Sequence, residues 1–142
     1  MTAPKASLLA LTLALFPVVA CSDGDGRASA ILCSTAYRAS VTEPLTQSEH
    51  LRIEDEDSVD SMAYVQLELH ARYSTGRTDN ERALRLWVTP SGEDGEIVSQ
   101  LFQLPPDSGP TNQFVGGHGF TGLNYAYDSA SGAELQYWCE AE

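Results

Sequence analysis

The chain has 142 residues, with 8 Lys+Arg against 20 Asp+Glu and a formal net charge of −12. That length suits one domain of ordinary size, and an apolar fraction of 42% is too high for a disordered acidic tail. Nucleic acid is excluded as a partner, because holding phosphates needs a basic surface.

Residues 1–20 read MTAPKASLLALTLALFPVVA. The free amine and Lys5 make a short positive region. Residues 6–16 are an apolar run that Pro17 ends. The run is shorter than the roughly 20 apolar residues of a spanning helix. This is a secretory signal pattern. Val18-Val19-Ala20-Cys21 resembles the lipobox of bacterial lipoproteins: an aliphatic residue, a tolerated second residue, a small residue, then Cys. The resemblance implies that Cys21 is lipidated and becomes the mature N-terminus, anchoring the chain to a membrane. Val18 departs from the Leu most frequent there. In a diderm host, Ser22 after the lipid Cys implies the outer membrane or cell surface. The resemblance ends near residue 21 and implies nothing about the domain beyond. Cleavage at Ala28-Ser29-Ala30 is the alternative and would give a secreted soluble protein. That site lies past an acidic stretch, far from the apolar run. Residues 21–30 read as a flexible tether, rich in Gly, Ser and Asp.

Three Cys are present. If Cys21 carries lipid, Cys33 and Cys139 remain, near the two ends of the expected domain at residues 31–142. An export compartment permits disulfides. A bridge between them would close a loop of about 100 residues, worth roughly 4–5 kcal/mol. Two buried free thiols are the alternative.

Alternation dominates the domain. Ile31, Cys33, Thr35, Tyr37, Ala39 and Val41 form one weakly apolar row. Residues 46–53 read as a short turn or a strand. Residues 63–73 alternate over eleven positions, with Val65, Leu67, Leu69 and Ala71 on one side and Tyr64, Glu68, His70 and Arg72 on the other. Leu84, Leu86 and Val88 repeat the pattern against Arg85, Trp87 and Thr89. Residues 97–104 and 120–127 are mixed apolar strands. In the last strand, residues 133–139, Ala133, Leu135, Tyr137 and Cys139 oppose Glu134, Gln136 and Trp138. Turn residues fill 74–80, 89–95 and 128–132. No segment is a convincing amphipathic helix. The expectation is a single all-β domain, an antiparallel sandwich or a small meander barrel closed by one disulfide.

Few residues point to chemistry. Glu54, Asp55, Glu56 and Asp57, with Asp60, fail the spacing of a calcium loop and read as a solvated run. Gly116-Gly117-His118-Gly119 lacks the helix and the Lys of a phosphate loop. It reads as a bend in a long loop, residues 105–119. His50, His70 and His118 have no metal-ligand spacing. No catalytic motif, metal or cofactor is expected. One constellation stands out. Tyr64, Trp87 and Trp138 fall on outward rows with His70, Arg72, Arg85, Glu134 and Gln136, the composition of a binding surface. The expected function is a lipid-anchored, non-catalytic binding or structural module. Its partner would be a protein or glycan, and the acidic surface favours a basic one. In general plan the chain is similar to small acidic lipoprotein inhibitors of lysozyme, without their motif residues. A hydrolase using the 105–119 loop is the remaining alternative.

Overall fold

A computed structural model describes residues 30–54, 57–74, 81–105, 109–114 and 116–142. The signal segment, Cys21 and the tether to residue 29 lie outside the described residues. Among the described residues eight strands follow in order: β1 (Ile31–Arg38), β2 (Thr46–Ile53), β3 (Asp60–Ala63), β4 (Leu67–Ser74), β5 (Ala83–Pro90), β6 (Val98–Gln103), β7 (Asn124–Tyr127) and β8 (Glu134–Ala141). All neighbours pair antiparallel. They form two sheets, β2-β1-β8-β7 (sheet I) and β3-β4-β5-β6 (sheet II). The result is the expected sandwich, and the sheets do not close into a barrel. No α-helix occurs among the described residues.

The alternating rows become the core. Leu67, Leu69 and Ala71 of β4, and Leu84, Leu86 and Val88 of β5, are fully buried. Sheet I faces them with Ile31, Cys33, Ile53, Ala126, Leu135, Tyr137 and Cys139. Each buried Leu removes enough apolar surface from water to contribute about 1.5–3 kcal/mol. Polar groups caught inside are satisfied. The Tyr137 hydroxyl donates to Gln100 Oε1 at 2.8 Å, and Gln100 Nε2 donates to Asn124 Oδ1 at 2.9 Å. This chain of bonds crosses between the sheets. Burial pushes the Tyr137 hydroxyl up to a pKa of about 12.

Cys33 and Cys139 face each other across β1 and β8 and form a disulfide between residues 106 positions apart. The backbone of Cys139 turns the other way. Its carbonyl accepts from Phe120 N–H at 3.0 Å, and its N–H donates to Thr121 Oγ1 at 2.8 Å.

Two elements differ from the alternation pattern. The expected strand at 63–73 is two strands, because the chain reverses at Val65 and Gln66. Tyr64 N–H donates to Leu67 O at 2.7 Å and closes the turn. No turn-forming residue sits there. Contacts from outside hold it instead: Ser91 donates from its N–H to Gln66 O and from its hydroxyl to Tyr64 O. Val65, expected inside, is 78% exposed. Residues 46–53, read as a short turn or a strand, form a strand. Of residues 120–127 only Asn124–Tyr127 is strand. The first half bends at Gly122, and Gly119 just before it bends too, both with positive φ. A Cβ at Gly119 would lie 2.0 Å from the Cys139 carbonyl oxygen, so this position requires glycine.

Both ends of the domain meet at one end of the sandwich. Ile31 pairs with Ala141, and Glu142 N–H donates to Ala30 O at 3.0 Å. The antiparallel register then puts the 39–45, 64–66, 91–97 and 128–133 connections at the opposite end.

Candidate functional site

The outward rows of β4 and β5 build one surface site. With Leu69, Ala71, Leu86 and Val88 facing inward, strand alternation sends His70, Arg85 and Trp87 outward. His70 and Trp87 are register partners. Their rings stack, 5.1 Å between centroids and 13° from parallel. Arg85, two residues before Trp87, lays its guanidinium 4.7 Å from the indole centre. It also donates to Ser99 Oγ at 3.2 Å and pairs with Glu96 at 2.5 Å. His70 Nε2 lies 3.0 Å from Thr89 Oγ1, and Nδ1 lies 3.9 Å from Glu68.

Beside this stack runs an open groove of about 470 Å³. His70 and Trp87 form its floor. Glu68, Glu93, Asp94 and Glu96 line it, with Thr89 and the glycines Gly92 and Gly95. An aromatic floor with several carboxylates suits a cationic or amphipathic group. Clefts of one charge sign concentrate the field and raise the local concentration of counter-charged partners.

The other residues expected in this patch lie elsewhere. Trp138 sits on β8, on the outer face of the other sheet, where His118 meets it edge-on at 5.2 Å. Glu134 and Gln136 share that face. Glu134 pairs with Arg38, and the Gln136 amide and then the Arg38 guanidinium hold its carboxyl below the usual carboxylate range. Tyr64 turns inward. It stacks on Tyr37 at 4.6 Å, and its hydroxyl shares a 2.5 Å hydrogen bond with Thr35 Oγ1. Arg72 stays on the Trp87 face, 3.7 Å from Asp57. The structure therefore gathers His70, Arg72, Arg85 and Trp87, and separates Trp138 and Tyr64 from them. Strand order could not be read from alternation, and it decides which rows become neighbours. Tyr125 and Tyr127 were not singled out, yet both are exposed on β7 beside Gln136 and Glu134. Their parity against buried Ala126 was the available signal.

In the 105–119 segment, residue Asn112 covers an edge. Asn112 brackets Ala141: its Nδ2 donates to the Ala141 carbonyl at 3.1 Å, and its Oδ1 accepts from the Ala141 N–H at 3.0 Å. That imitates a strand pairing on the edge of β8. Buried Arg82 ties the start of the loop down. Its guanidinium donates to Pro105 O at 3.1 Å and to the Tyr73 hydroxyl at 2.6 Å. A second groove, about 450 Å³, lies between this loop and β6. Leu101, Phe102, Leu104, Pro110 and Phe120 line it, with only amide and hydroxyl groups as polar partners. Among the described residues, no three His, Cys, Asp or Glu side chains are placed to hold a metal ion. No helix among them is long and apolar enough to cross a membrane. The chain matches no family model, no curated protein and no solved structure.

Proposed function

We propose that this chain is a lipid-anchored cell-envelope protein whose acidic β-domain binds a basic protein partner at the Trp87 groove and performs no catalysis. The anchor rests on the lipobox-like Val18-Val19-Ala20-Cys21 and the tether that follows. In a diderm host the location would be the outer membrane or cell surface. The observation that carries the binding role is the His70–Trp87 stack beside Glu68, Glu93, Asp94 and Glu96. Buried aromatic groups supply contact area and carboxylates steer basic partners. The same observation favours one specific form of the reading, an inhibitor of a basic enzyme such as lysozyme.

Two experiments test it. Labelled fatty acid should enter the wild-type chain and not Cys21→Ala; label in neither removes the anchor and leaves a secreted soluble protein. Lysozyme serves as a basic probe. Binding should be measurable at low salt, weaken steeply as salt rises, and fall about tenfold or more for Trp87→Ala. Salt-independent binding, or preference for a neutral glycan over the basic probe, would overturn the basic-partner reading.

A further inference from the structure

Of the four connections at the end of the sandwich farthest from Ala30, three lie together. They are the β1–β2 tip at 39–45, the β3–β4 turn at 64–66 and the β5–β6 loop at 91–97. The structure fastens them to one another. Tyr37, just before the first tip, stacks on Tyr64 at 4.6 Å, and its hydroxyl donates to Gln66 Oε1. Ser91, at the start of the third, donates its N–H to Gln66 O at 2.9 Å and its hydroxyl to Tyr64 O at 2.8 Å. Two tips come from sheet II and one from sheet I, so the surface bridges both sheets.

The first two tips present apolar side chains. Val65 is 78% exposed, Val41 57% and Leu45 37%. None of these exposures helps folding, since a branched apolar side chain gains nothing from water. The surroundings are acidic. Glu43 lies on the first tip, and Glu93 and Asp94 on the third. No ion pair among the described residues involves these three. Arg38, at the tip end of β1, is already engaged by Glu134, and Arg85, farther down β5, by Glu96.

We infer that this tripartite tip is a docking surface for a basic protein, which seats an apolar contact on Val41, Leu45 and Val65 while its cations meet the surrounding carboxylates. Charge selects this occupant. A second copy would bring the same carboxylates against these, and an anionic membrane would repel them. Ala30, the first described residue, lies roughly 23 Å from the tip along the length of β1. This deepens the binding role proposed above and rests on it, adding a surface next to the groove, which shares the 91–97 loop.

The test places a photo-crosslinking residue at Val65, Val41 or Val59 in the full chain, in the envelope of a producing cell. Val59 is 55% exposed at the Ala30 end and is the control. The expected result is an adduct at Val65 and Val41 with a basic protein, absent at Val59. Glu93→Lys with Asp94→Lys should reduce its yield about tenfold or more. Val65→Asn should weaken the same complex about tenfold, the loss of one buried apolar side chain. Exposure this high leaves the fold unaffected, which an intact Cys33–Cys139 bond and unchanged circular dichroism would verify. No adduct, an adduct equally strong at Val59, or an adduct with a neutral protein, a lipid or a second copy overturns the inference. Loss of binding on Trp87→Ala with none on Val65→Asn would leave the groove standing and overturn the tip alone.

Discussion

The two sheets solve the same problem by different means. Sheet II pairs strands that follow one another in sequence, β3 to β4 to β5 to β6. Its central strands carry uninterrupted apolar rows. Sheet I joins the first two strands to the last two, so its central pair, β1 and β8, brings together the ends of the domain. Its inward row is more polar, with Thr35 and Tyr137 among the apolar groups. Closing a short hairpin costs little entropy, whereas bringing distant ends together costs more. The disulfide sits at that distant pairing, between Cys33 and Cys139. Covalent support is found where sequence separation is greatest, and packing suffices where it is least.

This contrast can be broken experimentally. Replacing both cysteines, Cys33→Ser with Cys139→Ser, should cost about 4 kcal/mol in denaturant unfolding. Amide exchange should then rise first in β1 and β8. Equal loss of protection in β4 and β5 would refute the division of labour. Leu86→Ala attacks sheet II and should cost about 3 kcal/mol, the usual range for a fully buried Leu. Gly119→Ala should cost about 2–3 kcal/mol in sheet I, since a left-handed backbone and a clash with the Cys139 carbonyl coincide. A smaller effect follows from pH. The Tyr137 hydroxyl ionises near pH 10 when unfolded but near 12 when buried. Below pH 10 both states are neutral and the contribution is fully present. As pH rises through 12 the unfolded state is favoured, so stability falls across that window. Tyr137→Phe should flatten this alkaline limb in a pH series of unfolding midpoints. Least of all, Trp87→Ala on the outer face of sheet II should change stability by under about 1 kcal/mol while weakening partner binding.

Much of the inward face was legible because alternation reports it directly. Leu67, Leu69, Leu84, Leu86, Val88, Leu135 and Cys139 face the core as their parity requires. The pairing of Cys33 with Cys139 matches the expectation drawn from cysteine count. Alternation is silent on where a strand folds back when the turn is held from outside. Ser91 and Tyr37 fix the turn at Val65 and Gln66, and neither is near it in sequence. Alternation is equally silent on which strands adjoin. That is why Trp87 and Trp138, both correctly placed on outward rows, fall on opposite faces of the sandwich. The Trp87 groove was half visible: His70 and Arg85 share its face by parity, but the acids of the 91–97 loop reach it only through the hairpin.

The bridge between β1 and β8 also bears on durability among proteases. A single backbone cut anywhere between Cys33 and Cys139 yields two pieces that remain covalently joined. The N-terminal piece keeps β1 and the segment leading to Cys21, and the C-terminal piece keeps β8, still paired with it. A molecule nicked there therefore stays in one covalent piece.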